Sequence, residues 1–149
     1  NLRHRHFTVW RDPAQTRDKA AVLANIETAR EQLVDARAVA RFTGEAADPR
    51  PGMASGHIPG SRNLVYTDLY NADGTFRSKA EIRALFEGAG VDLARPVITS
   101  CNSGVTACVL AFALHLVGKN DVSLYDGSWT EWGADPALPK ATGPATVAA

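Results

Sequence analysis

The residues best suited to chemistry lie in one stretch, Pro96-Val-Ile-Thr-Ser-Cys-Asn-Ser-Gly-Val-Thr-Ala-Cys108. The apolar run Val97 to Thr99 reads as a buried strand, and Cys101 follows its end. Asn102-Ser103-Gly104 makes a tight loop, with Gly104 permitting the curvature because it has no Cβ. An apolar helical pattern starts near Thr106 and runs to about Val117. Backbone N–H groups at a helix start have no intrahelical partner and carry partial positive charge, so they favour an anion. A thiolate at Cys101 is expected to have a lowered pKa there and to act as a nucleophile. A lone cysteine is more often a small buried hydrophobe; the strand, Gly-containing loop and helix around this one favour the nucleophile. The N–H groups from Asn102 to Thr106 are expected to surround its sulfur. Cys108 shares its spacing with Val105, Val109 and Phe112 and reads as core packing rather than a resolving thiol. Seven residues apart across a loop and into a helix, the two cysteines are poorly placed to bridge each other.

The elements that must position Cys101 are legible around it. Lys19 to Ala29 suits a short amphipathic helix, and Gln32 to Asp35 a strand followed by Arg37 and Arg41. Residues 44–56 form a Gly- and Pro-rich loop, and His57-Ile-Pro-Gly60 a structural turn before a strand near Asn63 to Val65. Asn71 to Gly74 is a second turn. Ser78 with Glu81 forms a capping box for a helix that stops at Gly88 or Gly90. Val122 to Tyr125 is the last clear strand. Asp126-Gly127 turns the chain into a short helix, where Trp129 and Trp132 pack the core or wall a pocket. Phe7 to Val9 is read as an added edge strand. Strands alternating with helices imply right-handed βαβ units and a mostly parallel sheet. The site then lies at the carboxyl ends of the strands, where Asp35, Arg37, Arg41, Cys101 and Asp126 all fall.

The chain has 149 residues, enough for one domain with a sizeable core. Sixteen basic residues against sixteen acidic give no case for nucleic-acid or membrane binding. No apolar run reaches the roughly 18–20 residues that span a bilayer. Two cysteines without a disulfide framework point to a reducing compartment, the cytoplasm. His4 and His6 have no carboxylate or cysteine partner at metal-site spacing, so no metal and no cofactor is expected. Residues 1–24 read as a linker-like leader, 25–140 as the catalytic domain and 141–149 as a flexible tail.

Five ordered motifs carry a resemblance. They are Leu33-Val-Asp-Ala-Arg37, Arg41-Phe-Thr-Gly44, Gly56-His-Ile-Pro-Gly-Ser-Arg-Asn63, Cys101-Asn-Ser-Gly-Val-Thr106 and Tyr125-Asp-Gly-Ser-Trp-Thr-Glu-Trp-Gly133. With them the chain resembles the rhodanese (sulfurtransferase) family. The resemblance implies an α/β domain with a central, mostly parallel five-stranded sheet and helices on both faces. Asp48-Pro-Arg-Pro-Gly52 and the leader are similar to the C-terminal, catalytic half of two-domain members, which implies a preceding rhodanese domain. Thiosulfate-using members tend to place basic residues just after the cysteine, where this chain has neutral Asn102 and Ser103. The loop is similar to that of the 3-mercaptopyruvate sulfurtransferases, with Asn102 departing from the usual glycine.

The resemblance implies that Cys101 takes sulfur from 3-mercaptopyruvate as a persulfide and passes it to cyanide or a thiol acceptor such as a thioredoxin-like protein. Ser103 would bond the substrate carbonyl or relay a proton. Arg41 matches the arginine that holds the substrate anion. Arg37 is a second candidate, with an ion pair to Asp35 as the equal alternative. Val105 and Thr106 complete the loop, Thr106 as support. Two other readings stay open: a thiosulfate:cyanide sulfurtransferase, and a persulfide-carrying or partner-binding module without its own reaction. A Cys-x5-Arg phosphatase is excluded, because Ala107 stands where the arginine would be.

Overall fold

The computed structural model describes residues 8, 9 and 12–146. Five parallel strands form one sheet: β1 (Thr16–Arg17), β2 (Gln32–Asp35), β3 (Arg62–Asn63), β4 (Val97–Ser100) and β5 (Val122–Tyr125). Their order is β1-β5-β4-β2-β3, so β4 is central, and Cys101 directly follows its last residue. Asp35 pairs with Ser100 and Thr99 with Leu124, which brings the ends of β2, β4 and β5 to one edge.

The strands bury both faces because helices cover both. On one face Leu33 and Ile98 pack with Val22, Tyr125, Trp129 and Trp132. On the other, Val34 and Val97 pack with Ile82, Phe86, Leu110 and Leu114. The period-2 alternation of β2 and β4 thus serves two cores. The first is closed by α1 (Lys19–Thr28) and α5 (Ser128–Trp132), the second by α3 (Lys79–Gly88) and α4 (Val105–Leu116). A short α2 (Val39–Thr43) follows β2. Asp18 caps α1 by accepting from the Ala21 N–H at 2.8 Å. Ser78 and Glu81 form the expected capping box on α3. No helix among the described residues is long and apolar enough to cross a membrane.

Several boundaries move. The edge strand is Thr16–Arg17, not Phe7 to Val9: Thr8 and Val9 are not in a strand, and Phe7, like His4 and His6, lies outside the described residues. A bidentate Arg17–Glu31 ion pair (both contacts 2.8 Å) holds β1 in place. Because β1 pairs with β5 and Val22 of α1 is buried, the packed unit begins before residue 25. The segment from 141 starts tied rather than loose. Ala141 and His57 exchange backbone hydrogen bonds of 2.8 and 2.9 Å, and the Gly143 N–H donates to the Thr43 carbonyl. A Cβ on Gly56 would lie 2.1 Å from the Ala141 carbonyl oxygen, so glycine is required there. The strand expected near Asn63 to Val65 is Arg62–Asn63, and α4 starts one residue earlier than Thr106.

Candidate active site

Cys101 leaves the central strand with both backbone groups committed. Its N–H donates to Ser128 Oγ at 3.1 Å, and its carbonyl accepts from the Trp129 N–H at 3.0 Å. The residue is only 1% exposed. Beyond it the backbone rises to α4 through Gly104, at φ +83°, a left-handed conformation that favours glycine. A Cβ on Gly104 would also meet Asp126 Oδ1 at 2.8 Å. The N–H groups of Asn102, Ser103, Gly104, Val105 and Thr106 reach no acceptor among the described residues. Unpaired N–H groups at a helix start favour an anion. Ser103 and Val105 are exposed on the rim of the loop, Val105 at 72%, while Thr106 is half-buried.

Cys108 contradicts the core-packing expectation. It is exposed, because α4 buries Ala107, Leu110, Ala113 and Leu114 and turns Val105, Cys108 and Phe112 outward. Desolvation, aided by the negative potential of Cys101 and Asp126, pushes its thiol pKa up. That keeps it protonated and poorly nucleophilic. Both cysteines are free thiols.

The two candidate arginines separate. Arg37 is buried, with Nε and Nη2 on Asp35 (2.9 and 2.7 Å), Nη2 also on the Gly56 carbonyl (2.8 Å), and its guanidinium 4.4 Å above the Trp129 ring. Of the two roles left open by the sequence, this is the structural ion pair. Arg41, on α2, has a 36% exposed side chain whose only ionic neighbour among the described residues is Asp48, at 3.6 Å. Its N–H groups are available to a ligand.

Two functional candidates escaped sequence reasoning. The Asp48 side chain, 3% exposed, also grips Arg50, accepting from Nε at 3.0 Å and Nη2 at 3.1 Å. Hydrogen bonding from Arg50 holds the Asp48 carboxyl below the usual aspartate range. Two guanidiniums thus share one carboxylate beside the Cys101 loop, where Arg50 Nη2 also reaches Asn102. The signal was the Asp-Pro-Arg-Pro spacing, two charges held stiff by prolines in a loop. The second candidate is Ser128, buried at φ +50°, whose Oγ donates to the Tyr125 carbonyl while holding the Cys101 N–H. No pattern signals that contact, because Ser128 at the start of α5 and Cys101 after β4 meet only in the packed chain.

His57 is no base. It is 1% exposed, stacked on Phe42 with ring centroids 3.8 Å apart, and its Nδ1 bonds the Phe42 carbonyl. Burial pushes its pKa down. Trp129 and Trp132 are buried in the core with Nε1 on the Ala54 and Pro139 carbonyls. The 240 Å³ cavity lined by Val22, Ile26, Ile58 and Arg62 lies away from Cys101, at the start of β2.

Comparison with known proteins agrees with this geometry. Residues 18–135 match the model of the rhodanese-like domain. The human 3-mercaptopyruvate sulfurtransferase is 45% identical over 126 residues, 85% of this chain and 42% of that protein. The bovine thiosulfate sulfurtransferase is 49% identical over 112 residues, 74% of this chain and 38% of that protein. The crystal structure of SseA from Escherichia coli, described with the rhodanese fold and mechanism of 3-mercaptopyruvate sulfotransferases, superposes with a TM-score of 0.70. It is 37% identical, covering 83% of this chain and 45% of that one. The chain spans about two-fifths of the length of the curated relatives it matches.

Proposed function

Because the chain belongs to the rhodanese-like domain family, we propose that it is the catalytic domain of a sulfurtransferase that works through a Cys101 persulfide. The Cys101 thiolate attacks the sulfur of 3-mercaptopyruvate. The carbon–sulfur bond breaks, its electron pair leaves with carbon as the enolate, and protonation gives pyruvate. A thiol acceptor then attacks the outer sulfur, the S–S bond breaks, and Cys101 regains its thiolate. With cyanide as acceptor the product is thiocyanate. The N–H groups of Asn102 to Thr106 stabilise negative charge on the persulfide, and their lack of any other partner among the described residues is the observation that carries the reading. Arg41, with Arg50 beside it, receives the donor carboxylate, since a guanidinium offers paired N–H donors in a carboxylate-matching fork. Ser103, exposed on the rim, bonds the substrate carbonyl or relays the proton to the enolate.

The 49% identity to a thiosulfate sulfurtransferase keeps thiosulfate as the second donor; neutral Asn102 and Ser103 favour the carboxylate-bearing one. The acceptor is a thioredoxin-like dithiol, and a preceding rhodanese domain completes the full-length protein. A mechanism that needs a free Cys101 thiol suits a reducing compartment such as the cytoplasm.

The test is intact-mass measurement after exposure to 3-mercaptopyruvate or thiosulfate. One added sulfur on Cys101, gained faster from mercaptopyruvate, is the expected result. Faster loading from thiosulfate reassigns the donor. Loading from neither removes the enzymatic reading in favour of a binding module.

A further inference from the structure

Asn102 stands directly after the nucleophile, and its two oxygens face different partners. Its backbone carbonyl accepts from the Thr130 N–H at 2.9 Å and the Thr130 hydroxyl at 2.6 Å, which ties the loop to α5. Its side-chain Oδ1 accepts from Arg50 Nη2 at 2.6 Å. Arg50 also donates through Nη1 to Thr130 Oγ1 at 2.6 Å and through Nε and Nη2 to Asp48. A guanidinium has five N–H groups. Four of those on Arg50 are thereby engaged, and one on Nη1 remains. Arg41, on the same Asp48, keeps its N–H groups free of other partners among the described residues.

We infer that Asn102 is a positioning residue for the anionic donor: its Oδ1 holds Arg50 against the Cys101 loop, so that the donor anion meets the remaining Arg50 N–H together with Arg41. The inference rests on the sulfur-transfer reading of the site and adds a determinant of donor affinity to it. A pinned guanidinium costs less ordering when the anion binds, which is the source of the effect. A glycine at position 102 would leave Arg50 without this anchor. Because the loop's attachment to α5 uses the backbone carbonyl of Asn102, removing the side chain spares that attachment.

The experiment measures donor half-saturation and maximal rate of Cys101 persulfide formation, using whichever of 3-mercaptopyruvate and thiosulfate loads the wild-type protein faster. Asn102→Ala is expected to raise half-saturation about three- to tenfold, the scale of one net hydrogen bond acting through a second residue, with maximal rate changed less than about twofold. Asn102→Gly is a second variant with the same expectation. In an Arg50→Ala background, Asn102→Ala is expected to shift half-saturation by less than about twofold, because the partner it acts through is gone. Equal effects in both backgrounds, or a fall in maximal rate alone, overturn the inference while leaving sulfur transfer standing. A wild-type protein that gains no sulfur from either donor overturns the underlying reading and the inference with it.

Discussion

Arg37 and Arg41 differ in what their guanidiniums already hold. Arg37 is buried on Asp35 and Trp129, whereas Arg41 keeps N–H groups to offer. Arg37→Ala therefore strands a buried Asp35 carboxylate and should cost about 3–5 kcal/mol in urea unfolding. Unchanged stability with a raised donor half-saturation would return Arg37 to the binding role. Arg41→Ala should raise donor half-saturation at least about tenfold, the effect of losing a charge-assisted hydrogen bond, and leave that for cyanide nearly unaltered. An unchanged donor value would move anion binding to Arg50. Cys101→Ser removes the ionisable sulfur and should lower persulfide formation at least about a hundredfold without loss of the cooperative unfolding transition. Sulfur uptake by that variant would end the mechanism.

At the scale of elements, the candidate loop is the passage from β4 to α4, and Gly104 within it and Ser128 at the start of α5 adopt left-handed backbone. Gly104 does so at no steric cost, whereas Ser128 at φ +50° bears about 1–2 kcal/mol. Ser128 is held by its bonds to Tyr125 and Cys101. Gly104→Ala combines unfavourable φ with a Cβ pressed on Asp126. We expect it to destabilise by about 1–2 kcal/mol or more and to slow persulfide formation, read by thermal unfolding and intact mass. Wild-type loading by this variant would separate the loop's curvature from the chemistry. The helix that follows shows why Cys108 was misplaced. Apolar residues occur all round α4, so its pattern does not distinguish the buried Leu110 face from the exposed Cys108 face.

For the whole molecule, His57 links the turn, α2 and the tail. It stacks on Phe42, bonds the Phe42 carbonyl and pairs with Ala141. Burial is the largest influence on its pKa, which is lowered from 6.5. The unfolded chain therefore binds a proton first as pH falls, and stability present above about pH 6.5 is lost as pH drops through the folded value. Between pH 7.5 and 5, urea midpoints of the wild type should fall more than those of His57→Gln, which starts lower but does not titrate. Parallel slopes would remove His57 as the acid-sensitive group. Asp48 works in the same direction further down. Its carboxyl is held below 3.8, chiefly by Arg50, so the Arg41–Asp48–Arg50 cluster stays charged across this range.

The amino-acid order alone determined the layered sheet, the Ser78 capping box and the place of Cys101 between strand and helix. Each rests on local physics: alternation in strands, a cap three residues from its partner, and a cysteine poised before a helix. The ordered motifs likewise carried the family. Tertiary structure decided the rest. Thr16–Arg17 is too short to show periodicity and became a strand only by pairing with β5. The residues from Ala141 to Gly143 are held by long-range backbone bonds that composition does not encode. Arg37 and Arg41 look alike in sequence and are told apart only by what surrounds them. Arg50 reaches Asn102, and Ser128 reaches Cys101, across separations of 52 and 27 residues. Side-chain type and spacing specify what a residue can do, whereas its free N–H groups and neighbours depend on the packed chain.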